Sequence, residues 1–301
     1  MNGPRTLVVT GAASGLGREF ARLGAERGFR LVLADLDARA LEALASELRA
    51  GGTELLWRRC DVAQAGEVEA LAAIASEHFG APNWLFNNAG VACGGLLWES
   101  PIEDWQWLWS VNVMGVVHGI QSFVPRMLER ARREPEYRGV IMNTASMAGL
   151  INAPLMGVYN ASKHAVVSIS ETLEQDLRLV TSQLRAAVLC PYFVPTGIAQ
   201  SERHRPAPRD RMRTLSQELA QRQSERAVAS AKVSARNVAE RVFAGLEAGH
   251  FYLYSHPQAL GAVEERLRQL LTGQPPGDPF AAKPEIGAWL REALAPERER
   301  R

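Results

Sequence analysis

Short apolar runs alternate with longer amphipathic stretches along the first 190 residues of the chain. An uninterrupted apolar run predicts a buried strand, whereas apolar residues that recur every three or four positions predict a helix. Strands that alternate with helices indicate an α/β protein with a doubly wound parallel sheet, covered by helices on both faces. Strands are predicted at residues 6–10, 30–34, 54–59, 84–88, 139–144 and 184–189, and helices at residues 14–27, 37–48, 64–79, 105–132 and 158–180.

The pattern changes after Pro191, where a long polar segment follows the sixth predicted strand. Residues 196–234 contain no apolar strand, and we expect them to form a helical lid that becomes ordered over the substrate site on binding. We predict one domain over residues 1–272 and a C-terminal extension over residues 273–301. The remaining predicted elements are helices at 235–248, 259–271 and 286–294 and a strand at 251–254.

Composition narrows the class of protein. Of the 301 residues, 47% are hydrophobic and 22% are charged, and the formal net charge is +1. A nearly neutral chain has no strong field to attract nucleic acid or an anionic membrane, so we expect neither as a partner. Cys60, Cys93 and Cys190 lie far apart and lack metal-ligand spacing, which predicts reduced thiols and no metal site. A strand begins within a few residues of Met1, so we expect no signal peptide and a cytoplasmic location.

A glycine-rich turn joins the first predicted strand to the first helix. Thr10-Gly-Ala-Ala-Ser-Gly-Leu-Gly17 carries its glycines where a tight turn needs positive φ or a close approach of the backbone. The helix that follows directs its first amides at the turn, so a diphosphate is the expected guest. Asp35 ends the second strand, where a carboxylate accepts the hydroxyls of the adenosine ribose and repels a 2′-phosphate. The sequence therefore predicts a Rossmann fold that binds NAD in preference to NADP.

Further motifs follow in order. Asp61-Val62 comes after the third strand, Asn87-Asn-Ala-Gly90 after the fourth, and Ser146 lies 13 residues before Tyr159-Asn-Ala-Ser-Lys163. With Asn112, in Val111-Asn-Val113, and the glycine turn, the chain resembles the short-chain dehydrogenase/reductase superfamily from about residue 5 to about residue 200. One departure is Tyr192, which stands where members of the family usually have glycine.

The resemblance implies an oxidoreductase that transfers a hydride between NAD and a secondary alcohol or ketone. It implies four catalytic residues, namely Asn112, Ser146, Tyr159 and Lys163. The cofactor contacts that it implies are Gly11, Ser14, Gly15, Leu16, Gly17, Asp35, Asp61, Val62, Asn88, Ala89, Gly90, Tyr159, Lys163, Val194 and Thr196.

Tyr159 and Lys163 also make chemical sense together. They are four residues apart and share one face of a helix, where an ammonium near a phenol favours the phenolate. A free phenol has a pKa of about 10 and is a poor base at neutral pH. We therefore expect Lys163 to lower the pKa of Tyr159 and Tyr159 to exchange a proton with the substrate oxygen.

The substrate itself is predicted only as a class. Residues 93–97, 147–156 and 192–193 are expected around the reacting carbon and are mostly apolar, which favours a hydrophobic alcohol or ketone. Arg203, Arg205 and Arg209 could meet an acidic group of the substrate, but a solvated helix face is the simpler interpretation. Two alternatives stay open: an NADP-dependent carbonyl reductase, or a dinucleotide-sensing protein without catalysis.

Assembly is expected from the resemblance. The predicted helices 105–132 and 158–180 match the pair through which the family commonly associates, and Trp105, Trp107 and Trp109 crowd the start of the first. The sequence therefore predicts a homodimer or homotetramer.

Overall fold

Seven parallel strands form one sheet in the computed structural model, which describes residues 4–206, 212–281 and 283–295. The strands are β1 (Thr6–Thr10), β2 (Arg30–Asp35), β3 (Leu55–Arg59), β4 (Trp84–Asn87), β5 (Gly139–Thr144), β6 (Leu184–Cys190) and β7 (Tyr252–Tyr254). Their spatial order is β3-β2-β1-β4-β5-β6-β7, and all neighbouring strands are parallel. The order reverses between β1 and β4, and a cleft opens beyond the carboxyl ends of strands at such a reversal. The predicted doubly wound α/β fold is confirmed.

Helices cover both faces of the sheet. Within the described residues they are α1 (Gly15–Glu26), α2 (Ala38–Ala50), α3 (Ala65–Phe79), α4 (Ile102–Leu108), α5 (Gly115–Arg133), α6 (Gly157–Val180), α7 (Leu215–Ala229), α8 (Ala235–Glu247), α9 (Leu260–Leu271) and α10 (Pro284–Leu294). Asp37 caps α2 as a side-chain acceptor for the amide of Ala40. The helix predicted over residues 105–132 is wrong in one respect, because a π-helical turn at Trp109–Met114 divides it into α4 and α5.

Alternation along the strands divides the core between the two faces. Leu7 and Val9 of β1 pack with apolar residues of α1, α2 and α8. Val8, between them, points to the opposite face and packs with residues of α3 and α5. This period of two is the geometry of a strand buried on both sides, and it explains why the strands read as continuous apolar runs.

The segment after β6 returns twice to the cleft. Residues Gly197–His204 form a short 3-10 helix and are followed by α7, while residues 207–211, including Arg209, lie outside the described part. Farther along, Leu290 of α10 is only 5% exposed and belongs to an apolar cluster with Leu219 of α7. Both the excursion and the last helix therefore pack against the body of the same chain. Across the described ranges, each helix is too short or too polar to cross a lipid bilayer.

Candidate active site

The glycine turn lies at the mouth of the cleft, between β1 and α1. Gly11 and Gly15 have φ of +67° and +52°, in the left-handed region that favours glycine. A Cβ on Gly17 would lie 2.0 Å from the carbonyl oxygen of Gly11, so only glycine allows this close approach. Ser14, the N-cap residue of α1, makes no side-chain hydrogen bond to the helix. The first amides of α1 therefore stay available to an anion.

Acidic residues stand at the carboxyl ends of β2 and β3, at the same edge of the sheet. The Asp35 carboxylate accepts hydrogen bonds from the amides of Ala13, at 2.8 Å, and Asp37, at 3.0 Å. The first of these bonds fixes Asp35 beside the glycine turn, and the remaining lone pairs can accept ribose hydroxyls. Asp61 is held by a bond from the amide of Ala63 at 3.0 Å. The residues present thus fit the adenosine end of a dinucleotide.

Asn88 ties three strand ends together. Its side-chain amide donates to the carbonyl of Thr10 at 3.0 Å, and its oxygen accepts from the hydroxyl of Thr144 at 3.2 Å. The Thr10 hydroxyl in turn accepts from the amides of Asn88 and Ala89. These bonds hold the predicted cofactor residues Asn88 to Gly90 against the glycine turn.

Asn112 sits in the π-helical turn and is 1% exposed. Its side-chain oxygen accepts from the amide of Val91 at 2.8 Å, and its amide donates to the carbonyl of Val91 and the hydroxyl of Ser162. The Ser162 hydroxyl donates to the carbonyl of Tyr159 at 2.8 Å. Asn112 therefore joins the loop after β4 to the helix that carries Tyr159.

Ser146, Tyr159 and Lys163 converge where β5, β6 and α6 meet. The Lys163 ammonium donates to the carbonyl of Thr144 at 2.9 Å and lies 5.7 Å from the centre of the Tyr159 ring. Ser146 follows β5, accepts from the amide of Ala148 at 3.1 Å and donates to the carbonyl of Pro191 at 3.3 Å, and its hydroxyl is close enough to the Tyr159 phenol to influence that phenol's pKa. Three of the four predicted catalytic residues therefore share one small region.

Burial dominates the titration of this group in the protein alone. It raises the pKa of the Tyr159 phenol, and the neighbouring Ser146 side chain only partly opposes this rise. Burial also lowers the pKa of Lys163 to about 8. The expectation that Lys163 and the oxidised nicotinamide together make the phenol more acidic stays a prediction, because in the chain alone desolvation disfavours both charged forms.

One continuous cleft, with a volume of about 2690 Å³, contains nearly all predicted site residues. Gly17 and Asn112 do not line the cleft. Gly17 packs against the backbone of Gly11, and the Asn112 side chain is hydrogen-bonded to Val91 and Ser162. Val194 is buried, and Thr196 packs against Gly15, where an added Cβ would come within 3.0 Å of the threonine. The predicted residues that line the cleft are Gly11, Ser14, Gly15, Leu16, Asp35, Asp61, Val62, Asn88, Ala89, Gly90, Ser146, Tyr159, Lys163, Val194 and Thr196.

The substrate half of the cleft agrees only partly with expectation. Residues 147–156 and 192–193 contribute to its wall, but 93–97 do not line it. Tyr192 anchors its amide on the hydroxyl of Ser255 at 2.8 Å, and its ring lies 4.6 Å from the ring of Phe193. Residues that sequence reasoning missed come from the C-terminal extension: Phe280, Ile286 and Trp289. The apolar spacing of α10 was the available signal, but the sequence does not show where the helix docks.

Arg205 was predicted to lie on a solvated helix face, and the structure places it elsewhere. It donates to Asp104 at 2.7 Å and to Glu202 at 2.6 Å, and its guanidinium lies 4.3 Å from the centre of the Trp107 ring. Its side chain is 9% exposed, so the expected solvated face is wrong for this residue. The ion pair between Arg205 and Asp104 fastens the segment after β6 to α4.

The model of the short chain dehydrogenase family matches residues 5–207, more than half of the chain and all the elements described above up to the excursion. The chain belongs to the short-chain dehydrogenase family. It is thus an oxidoreductase of a family that binds nicotinamide dinucleotides, and the resemblance inferred from the motifs is confirmed.

Similar proteins come from several bacteria. A CLA biosynthesis dehydrogenase/reductase of Lactiplantibacillus plantarum is 33% identical over 276 residues, 90% of this chain and 95% of that protein. A 1-deoxy-11-beta-hydroxypentalenate dehydrogenase of Streptomyces exfoliatus is 35% identical over 257 residues, 85% and 84% of the two chains. The crystal structure of a short-chain dehydrogenase/reductase from Burkholderia phymatum in complex with NAD superposes with a TM-score of 0.89, at 47% identity over 92% of this chain and 98% of that one.

Proposed function

We propose that this short-chain dehydrogenase transfers a hydride between NAD and a hydrophobic secondary alcohol or ketone. One observation carries the proposal: Ser146, Tyr159 and Lys163 converge on the same cleft as the glycine turn and Asp35. An acid/base pair beside a dinucleotide cradle is the arrangement that reversible alcohol oxidation needs. The apolar wall around Leu155 and Met156 favours a hydrophobic substrate.

The proton chemistry falls to three side chains. Ser146 and Tyr159 hydrogen-bond the substrate oxygen, and Tyr159 takes the proton of the alcohol, or returns it in the reverse direction. When bound, an oxidised nicotinamide would supply the hydride acceptor and a positive charge that favours the phenolate. Lys163 would hold the ribose of the bound cofactor. Asn112 is proposed to hold a water that passes the proton onward from Lys163. Its side chain is largely engaged with Val91 and Ser162, so the remaining lone pair of its side-chain oxygen or its main-chain carbonyl would bind this water.

A substrate screen tests the proposal directly. Purified protein is mixed with NAD and a panel of secondary alcohols, and with reduced cofactor and the matching ketones, and absorbance of the reduced nicotinamide is followed. We expect turnover that increases with the apolar size of the substrate. Tight NAD binding with no turnover of any member would instead favour a dinucleotide-sensing protein.

Asp35 is proposed to select NAD. Asp35→Asn removes the charge that repels a 2′-phosphate and weakens the bonds to the ribose hydroxyls, and a charge-assisted bond contributes about 1.5–3 kcal/mol. We expect kcat/KM for NAD to fall by roughly 10- to 100-fold, and the ratio of NADP to NAD activity to rise.

Asp37→Asn is the matched control, because it removes a carboxylate two residues away and asparagine caps helices as well as aspartate. It should leave the cofactor ratio unchanged. A wild-type preference of about tenfold or more for NADPH, equal to about 1.4 kcal/mol, contradicts the role given to Asp35.

Several wider expectations belong to the same proposal. The homodimer or homotetramer, the cytoplasmic location and the ordering of residues 196–234 on binding stay predictions. The contacts of Arg205 with Asp104 and Trp107 hold the start of this segment, residues 197–206, against α4.

A further inference from the structure

Leu155 has an unusual backbone conformation close to the proposed acid/base. Its φ is +61°, and it is the non-glycine residue with positive φ within the described ranges. In this region the Cβ of an ordinary residue approaches the following carbonyl oxygen, so surrounding contacts must hold the conformation. Leu155 lies four residues before Tyr159 and two residues before the start of α6. The contacts that fix the backbone at Leu155 therefore also affect the position of the first turn of α6, which carries Tyr159.

Main-chain contacts hold one side of the turn. The amide of Gly95 donates to the carbonyl of Leu155 at 2.7 Å, and Gly95 and Met156 form an isolated parallel bridge. A Cβ on Gly94 would lie 2.7 Å from both the Leu155 oxygen and the Cβ of Ala220. The turn, the loop after β4 and α7 are thus in close contact, with no space for a larger residue at Gly94.

The C-terminal extension holds the other side. The Leu155 side chain is 8% exposed and lies in one apolar cluster with Leu219 and Ala220 of α7 and Leu290 of α10. Ile286 and Trp289 precede Leu290 by four and one residues, so Ile286 and Leu290 share a face of α10. Ile286 and Trp289 line the cleft, together with Leu155 and Phe280. One helix thus supports the turn and supplies part of the wall.

We propose that α10 completes the substrate site: Leu290 holds the Leu155 turn, and Phe280, Ile286 and Trp289 form the outer wall that receives the apolar part of the substrate. The inference rests on the proposed function, and it narrows the substrate class. The preferred alcohol carries a bulky apolar group that extends from the reacting carbon to α10. A small alcohol reaches Ser146 and Tyr159 but leaves this wall uncovered, and so gains no binding energy from it.

The test begins with a measurement that needs no turnover. Hydrogen exchange of the Gly95 amide is followed in the wild type, in Leu290→Ala and in the matched control Leu271→Ala, whose leucine is 82% exposed on α9. Truncating Leu290 leaves a cavity in the apolar cluster that contains Leu155, so Gly95 is expected to exchange about tenfold faster or more, because local opening becomes easier. Leu271→Ala should exchange like the wild type. Unchanged exchange in Leu290→Ala overturns the role of α10 in holding the turn.

Kinetics then test the substrate class with menthol and isopropanol as probes. The wild type is expected to have a higher kcat/KM for menthol than for isopropanol. In Leu290→Ala, kcat/KM for menthol should fall about tenfold, because truncating a buried leucine destabilises the wall that the menthol ring contacts. The kcat/KM for isopropanol should change little. Equal losses for both alcohols, or a wild-type preference for isopropanol, overturn the wall. Oxidation of neither alcohol counts against both the wall and the proposed function, while the exchange result still decides the anchoring role.

Leu290→Met guards against a variant that merely fails to fold. Methionine keeps an apolar side chain of similar volume, and such exchanges are tolerated in cores. This variant should retain the wild-type protection of the Gly95 amide and the wild-type preference for menthol. If Leu290→Met behaves like Leu290→Ala despite a wild-type melting temperature, the packing argument is wrong.

Discussion

Replacing Tyr159 with phenylalanine is expected to lower kcat for alcohol oxidation by roughly 10²–10⁴-fold, the usual contribution of general acid–base catalysis. The change removes one oxygen and leaves a ring of nearly the same shape beside Lys163. Because the glycine turn and Asp35 hold the other end of the cleft, the Kd for NAD should change little. Steady-state kinetics measure the first quantity, and quenching of protein fluorescence by NAD measures the second.

The pH dependence of turnover gives the same prediction a sharper form. Oxidation requires the phenolate, and burial raises the pKa of Tyr159, so the oxidation rate should rise with pH over the neutral range. Reduction uses the protonated phenol, so its rate should fall as the phenol ionises. Tyr159→Phe should lose this pH dependence together with the activity.

Tyr254→Phe is the matched control, because Tyr254 is a partly buried tyrosine at the end of β7 and outside the residues that line the cleft. It should retain both the rate and the pH profile of the wild type. Substantial turnover by Tyr159→Phe would show that another group exchanges the proton with the substrate.

The sequence predicted the frame of the molecule because that frame depends on local patterns. Continuous apolar runs such as 139–144 mark strands buried on both faces, and β5 has the predicted bounds. The glycine turn could also be predicted from the sequence, since Gly11 and Gly15 adopt the positive φ expected at their positions. Motif spacing also brought Ser146, Tyr159 and Lys163 together, because strand order and helix period fix where they lie.

Features that depend on contacts between distant parts of the chain could not be predicted from the sequence. Arg205 and Asp104 are separated by 101 residues, and no local pattern distinguishes a buried arginine from a solvated one. Leu155 has a positive φ, against the preference of leucine itself, and its contacts are with Gly95 and with an apolar cluster built from distant parts of the chain. The burial that raises the pKa of Tyr159 in the chain alone is another such feature, because the spacing to Lys163 shows a neighbouring charge but not how little water reaches the phenol.

Removing the guanidinium of Arg205 is expected to have the largest effect on stability. Arg205→Ala deletes a charge that is bonded to the nearly inaccessible carboxylate of Asp104 and stacked on Trp107. Breaking a buried ion pair from one side costs about 3–5 kcal/mol, because the remaining charge stays poorly solvated. We expect the free energy of unfolding, from urea denaturation, to fall by about 3 kcal/mol. The KM for substrate should rise as well, since the excursion that Arg205 fastens to α4 lines the cleft.

Two further variants separate this pair from surface electrostatics. Arg132→Ala removes an exposed arginine paired with Glu129, and an exposed pair contributes only about 0–1 kcal/mol, so its stability should stay close to wild type. Arg205→Lys keeps the charge but loses the planar fork that lets one side chain bond Asp104 and Glu202 while stacking on Trp107, and it should lie between the wild type and Arg205→Ala. Equal stabilities for Arg205→Ala and Arg132→Ala would mean that the excursion is held by its apolar contacts alone. In that case the KM of Arg205→Ala should also match the wild type, because the wall over the cleft would be undisturbed.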